Sequence, residues 1–291
     1  MWTLLLLTIG APQLSRRVMV SLATCGPYSV LSAPAIAADT SAYAELRGRM
    51  DAPIVVEASD SLTSAGRQPR LPAFMAGRWM CEQTLVGFRT PLGVQYIGAP
   101  GRPLSEAEAS AAQTRAQIGK PVSLELRFEN VDGGALEDKA FNARSRLDAF
   151  AGRPVVRSSQ SCAAAGVDAQ GIDCTFVDFV GPVSQKQMVG TARVAVGSSG
   201  RDFVSSEFTR AIFARRTVPG DTRNFPPITT DSETLLAIER VEPDGAGAES
   251  RLRGRLRLIS YLQPYDPLYF AAGRKSVSIS DYELELTSLS P

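Results

Sequence analysis

Between residues 71 and 289, apolar and polar positions alternate with period two in one segment after another. In Pro121–Phe128, Val122, Leu124, Leu126 and Phe128 share one face, and Ser123, Glu125 and Arg127 share the other. That is the pattern of a half-buried strand. Arg251–Leu262 repeats it at greater length. Leu252, Gly254, Leu256, Leu258 and Leu262 line one side, and Arg251, Arg253, Arg255 and Arg257 the other. Weaker alternation predicts strands over Trp79–Phe88, Val94–Ile97, Ile172–Val180, Met188–Val196, Phe203–Phe213 and Thr234–Val241. The last strand, Ser276–Thr287, changes phase: Val277 and Ile279 are odd-numbered, while Tyr282, Leu284 and Leu286 are even. A bulge near Ser280-Asp281 is the expected cause.

The helical signals are fewer. Glu106–Ile118 has Ser105 as an expected cap, Glu108 to complete a capping box, an alanine-rich interior, Gly119 to end it and Pro121 to forbid continuation. A second short helix fits Phe141–Phe150, stopped by Gly152 and Pro154. About nine strands with turn signals between them, and no βαβ rhythm, predict a mainly β protein. The expected architecture is an antiparallel barrel of about 8–10 strands with one or two short helices in its connections. Its first and last strands should meet, and the four arginines should point outward, because a one-residue slip would drive them into the core. Residues 38–70 read as a polar, partly ordered lead-in, and 71–289 as a single barrel domain.

Composition narrows the chemistry. The chain of 291 residues has no histidine, which excludes a Ser-His-Asp triad, a Cys-His dyad, an imidazole metal ligand and a histidine base. A net charge of +1 excludes a generic electrostatic nucleic-acid binder. Arginine outnumbers lysine 27 to 4, which reflects genome composition more than function. No CxxC pair, calcium loop or Gly-rich phosphate loop occurs, so the sequence points to no metal and no cofactor.

Residues 1–37 carry no acidic side chain and only two basic ones, Arg16 and Arg17. Ser15-Arg16-Arg17-Val18-Met19-Val20, a modest apolar stretch to about Leu31 and Ala35-Ile36-Ala37 together read as a twin-arginine export signal removed before Ala38. An ordinary secretory signal with a charged start stays open. The preceding run Met1–Gly10 is apolar, as in the first address of a bipartite plastid presequence, or as after a misplaced start codon. The expected destination is the thylakoid lumen of a plastid, with the bacterial periplasm as the alternative. No membrane span is expected in the mature chain. An exported chain can keep disulfides. Cys162 and Cys174 lie symmetrically around Asp168, so a hairpin tip there brings them within bridging reach; three free thiols, with Cys81, is the other reading.

Leu71-Pro72-Ala73-Phe74-Met75-Ala76-Gly77-Arg78-Trp79 leads into the first strong strand and is similar to the G-x-W opening of lipocalin-type barrels. That resemblance implies a tight entry at Gly77 and a Trp79 that plugs the closed end. The continuation Phe88-Arg89-Thr90-Pro91-Leu92-Gly93-Val94-Gln95-Tyr96-Ile97-Gly98, with Phe225–Glu233 and the Tyr282–Leu286 ending, resembles an uncharacterised family of cyanobacterial and plastid proteins. The family is a domain of unknown function, so it transfers no catalytic residue.

Candidate sites follow from these readings. Carboxylate pairs at Glu106/Glu108, Glu125/Glu129 and Glu283/Glu285 read as solvated structure, not as an acid–base pair. Trp79, Phe128, Leu256 and Leu258 are the candidate lining of a ligand cavity. Thr229, Thr230, Asp231 and Glu233 are read as a rim loop. Arg251, Arg253, Arg255 and Arg257 form a stripe that is either a solvated face or a docking strip for an acidic partner. The expectation is a non-enzymatic exported barrel that holds a small apolar ligand such as a pigment, quinone or lipid. The alternative is an assembly or interaction factor for a photosynthetic membrane complex. A catalytic role by analogy with lipocalin-like isomerases or epoxidases has no residue to support it.

Overall fold

The computed structural model describes residues 40–57, 67–97, 102–162, 164–165, 173–215, 226–242 and 250–289. The targeting region and the hairpin tip at Asp168 lie outside the described residues. Ten strands, all antiparallel, form one sheet: β1 (Gly77–Arg89), β2 (Pro121–Val131), β3 (Gly134–Glu137), β4 (Val156–Ser161), β5 (Cys174–Phe179), β6 (Val183–Val196), β7 (Asp202–Arg215), β8 (Ile228–Val241), β9 (Arg251–Tyr261) and β10 (Ser278–Ser288). Among the described residues four α-helices accompany them: α1 (Thr40–Asp51), α2 (Leu104–Arg115), α3 (Lys139–Ala151) and the short α4 (Tyr269–Ala272). The sheet runs in the order β3-β2-β1-β10-β9-β8-β7-β6-β5-β4 and curls into a half-barrel.

The first long strand does meet the last, with Trp79 opposite Ser288 and Leu85 opposite Tyr282. That pairing sits inside the sheet and does not close it. The sheet ends are β3 and β4, short strands that no alternation marked beforehand. Helix α3 lies across the seam between them and packs on β2, β4 and β5. It starts where Asp138 accepts the Phe141 N–H at 2.9 Å and stops at Gly152. A helix can cover a seam that strand pairing leaves open, because it brings its own backbone hydrogen bonds with it.

One face of the sheet is concave. Trp79, Cys81, Leu124, Leu126, Leu252, Ile238, Phe203, Leu284 and Leu286 share it and form the main core. Side chains of α3 reach β1, β7 and β10 across that face, which places it inside the curl. The convex face is covered in part by α1, whose Leu46 and Met50 bury themselves with Val204, Leu235, Ile259 and Ile279. The lead-in is thus partly helical and built into the fold, not merely a polar approach. Leu46 and Met50, four residues apart, are the helical signal it carried.

Several expectations need correction. Val94–Tyr96 is a 3-10 turn, not a strand; Gly93 at φ +104 turns the chain there, and four residues are too few to establish a period. Helix α2 begins at Leu104 after Pro103, so Ser105 lies inside its first turn and does not cap it. The phase change in β10 is not a bulge in that strand, which pairs with β9 in unbroken register. Ile279 faces α1 on the convex side, and Leu284 and Leu286 face the interior, so burial switches faces along the strand. The register shift lies opposite, in β1 between Leu85 and Gly87.

Candidate functional site

One end of the curl is plugged. The 3-10 turn Ala73–Met75 precedes Gly77, whose φ of +116 turns the chain into β1. Trp79 is 3% exposed, and its Nε1–H donates to the Met75 carbonyl at 2.8 Å. Phe74 reaches across to Phe203, with ring centroids 5.9 Å apart, and Phe128 is buried in the same cluster. Trp79 and Phe128 are therefore packed plug residues. Farther along the concave face, Leu236, Leu256, Val194 and Tyr282 pack against that cluster yet are only half-buried, and so is Leu258. Leu256 and Leu258 thus line the interior, while Trp79 and Phe128 form its floor.

A charged network crosses this interior. Lys139 of α3 donates to both carboxylate oxygens of Glu207 on β7, at 2.6 and 2.8 Å. Arg146 donates to Glu137 at 2.7 Å, and Asn142 donates to the same oxygen at 3.0 Å. Asn142 is fully buried and also ties α3 to β2, accepting from the Arg127 N–H at 2.7 Å and donating to the Arg127 carbonyl at 3.1 Å. Desolvation works against the charges of Glu137, Lys139 and Arg146, yet partners outweigh it. The Glu137 carboxyl is held at about 2 by Arg146, Lys139 and Asn142, while Lys139 and Arg146 are pushed above their ordinary values by Glu207 and Glu137. Two acids and two bases balance, which offsets the cost of partly burying them. Arg146 still keeps 34% of its side chain accessible, the most of the four.

Cys81 is a free thiol on the same wall, fully buried and pushed up to about 11 by desolvation against a small opposing pull from Arg146. It is protonated and inert at neutral pH. Beyond the charged network the lining turns polar, with Gln185, Ser205 and Thr209 facing inward. The Ser159 and Thr230 hydroxyls are buried there with no hydrogen-bond partner among the described residues.

Thr229, Thr230, Asp231 and Glu233 do not form a rim loop; they lie in β8. All four pair with β7, Asp231 and Glu233 pair with β9 as well, and alternation sends Thr230 inward and Asp231 and Glu233 outward. Arg210 grips Asp231 through two hydrogen bonds of 2.7 Å. Glu233 is 4% exposed beneath α1, paired with Arg49 and accepting from Ser206 at 2.7 Å and Tyr261 at 2.8 Å. Desolvation and the Glu233 carboxylate both raise the Tyr261 hydroxyl. Through Arg49, Glu233 fastens α1 to the sheet.

The arginine stripe points outward, as the alternation required, but it is not uniform. Arg251, Arg253 and Arg255 are exposed, whereas Arg257 is 2% exposed beneath α1. Arg257 donates to Asp281 at 2.6 Å and to the carbonyls of Arg49 and Ala52 at 3.1 and 2.6 Å. Register places Glu285 and Glu239 beside Arg253, and Glu283 beside Arg255. The convex groove there, about 530 Å³, is therefore lined by both signs of charge, not by an anion-seeking strip. Cys162 and Cys174 form a disulfide, with Cα atoms 5.3 Å apart, where β4 runs into β5.

A family profile for a domain of unknown function, DUF6816, matches residues 70–290. The chain belongs to that family. No curated protein and no solved structure matches the chain. The matched span takes in the whole sheet, the plug and α3, while α1 precedes it. No helix among the described residues is long and apolar enough to cross a membrane.

The charged network was not anticipated from the sequence. One signal was legible: Glu207 falls in phase with Phe203 and Phe213 on its strand, so a carboxylate sits on a face that also carries one buried and one half-buried aromatic. Its partners come from a helix far along the chain in the other direction, and no local pattern pairs them.

Proposed function

We propose that this protein is an exported carrier that holds one small molecule inside the curled sheet and does no chemistry on it. The observation that carries the reading is the lining. Half-buried leucines and Tyr282 share the interior with a network of desolvated charges, in which Arg146 keeps a third of its side chain accessible. Mostly apolar walls with a few polar groups suit a ligand whose body is apolar and whose head accepts hydrogen bonds. This sharpens the expectation of a purely apolar ligand, such as a pigment, quinone or lipid, toward one with a polar end. The disulfide suits an oxidising compartment. With the pattern of residues 1–37 it supports export, to the thylakoid lumen on our reading.

Mass spectrometry of an organic extract of the protein, purified from its native compartment, tests the proposal. A single compound near one per chain is expected, lost in Leu256→Trp, which fills the lining, and weakened in Arg146→Gln. An extract with no enriched compound, or one retained by both variants, would refute the reading.

A further inference from the structure

The connection between β9 and β10 carries an aromatic tip. Pro264, Tyr265, Pro267, Leu268 and Phe270 are exposed in a run of seven residues. Phe270 is 86% exposed, more than any other large apolar side chain among the described residues. Tyr265 follows at 58% and Leu268 at 37%. The one acidic residue in the run, Asp266, is turned inward. Its side chain is 8% exposed and accepts the Leu268 N–H at 2.8 Å.

The tip is held in place. Leu262, Ala272 and Val277 are buried with Leu92, Tyr96 and Tyr269, and Tyr269 meets Phe270 edge-on at 5.5 Å between centroids. The Asp266 N–H donates to Gln263, and Ser276 and Glu57 bond the far side of the connection to the segment after α1. Phe270 is thus displayed by a braced loop, with its ordering cost already met in the free protein. Just past it come Arg274, paired with Glu57 at 3.6 Å, and the exposed Lys275.

We propose that this tip docks the protein on an anionic lipid bilayer, with Phe270 and Leu268 inserted at the interface. Exposed aromatic and aliphatic side chains with prolines, no outward carboxylate and an adjacent exposed cation fit the headgroup boundary, where tyrosine and phenylalanine partition and lysine meets negative lipid. The docking is independent of what the interior holds.

The full chain carrying Trp2→Phe and Phe270→Trp places a fluorophore at the tip, with the buried Trp79 at the other end of the sheet as the second tryptophan. It is mixed with vesicles of phosphatidylcholine alone or of phosphatidylcholine with phosphatidylglycerol. The expected result is a blue shift and quenching by brominated acyl chains with the anionic vesicles, and a weaker response with the neutral ones. Lys275→Glu should weaken the anionic partitioning about fivefold, and Leu268→Ser about tenfold. Neither residue is buried, so folding is not at stake. No response to either vesicle would overturn the proposal. So would a response seen only with a solubilised membrane-protein fraction, which would make the tip a protein-docking face.

Discussion

Gly254 on β9 stands opposite Ile238 on β8. A Cβ there would collide with the Ile238 Cδ1 and lie 2.7 Å from the Ala237 carbonyl oxygen. Gly254→Ala should lower stability by about 1–3 kcal/mol, the usual cost of overpacking, read as a lower urea midpoint. Adding Ile238→Val removes the methyl in the way but leaves the carbonyl, so it should restore only part of the loss. An unchanged midpoint in Gly254→Ala would contradict the packing of the two strands. Sequence placed Gly254 on the leucine side of its strand, but not why a glycine stands there, because the obstacle lies on the neighbouring strand.

At the scale of elements, α3 and α1 do what strands cannot. Helix α3 covers the seam, and its charge network sets an acid limit. The Glu137 carboxyl is held at about 2 against an ordinary 4.5. A depressed value adds stability that is fully present above the ordinary value and is lost as pH falls toward the folded one. Urea midpoints should therefore fall between about pH 4.5 and 2, and Glu137→Gln should flatten that fall while lowering stability at neutral pH, because Arg146 loses its partner. A slope unchanged by the substitution would mean that Glu137 is not the titrating group. Helix α1 covers the convex face from outside the family span. Leu46→Ala and Met50→Ala should each cost about 2–5 kcal/mol by calorimetry or urea. A chain cut to residues 70–291 should be less stable than either, since it uncovers Leu235 and Ile259 and leaves Arg257 and Glu233 without partners from α1. If that shortened chain matched the intact one, α1 would be an appendage and not part of the core.

At the scale of the molecule, the weakest place is the seam. Edge strand β4 is held on one side by β5, and the Cys162–Cys174 bridge ties the two where they join. Reduction should lower stability by about 3 kcal/mol, the loop-closure value for a loop of this size. Hydrogen exchange should rise first in β4 and β5; a uniform rise across the sheet would place the bridge's effect in global stability alone. Export is tested at the same scale. Replacing Arg16 and Arg17 with lysine should block translocation in a thylakoid import assay while envelope import continues, and unchanged maturation would favour an ordinary secretory signal.

Period-two alternation in β2 and β9 was enough to mark strands and to send Arg251, Arg253 and Arg255 outward, because a strand's two faces are separated by its own geometry. The absence of histidine likewise excluded whole classes of catalysis without any coordinates. Local rules also placed α3, whose stop signals lie within a few residues of its end. What they could not decide was which face of the sheet is covered at each height. Arg257 follows the same alternation as Arg253, yet it is buried, because α1 passes over one and not the other. Thr229–Glu233 read as a loop by composition and became a strand because β7 pairs along all of it and β9 joins from Asp231 on. The charged interior is tertiary in the same sense: Lys139 and Glu207 are 68 residues apart, and only the curl of the sheet brings the helix over its seam and those two charges together.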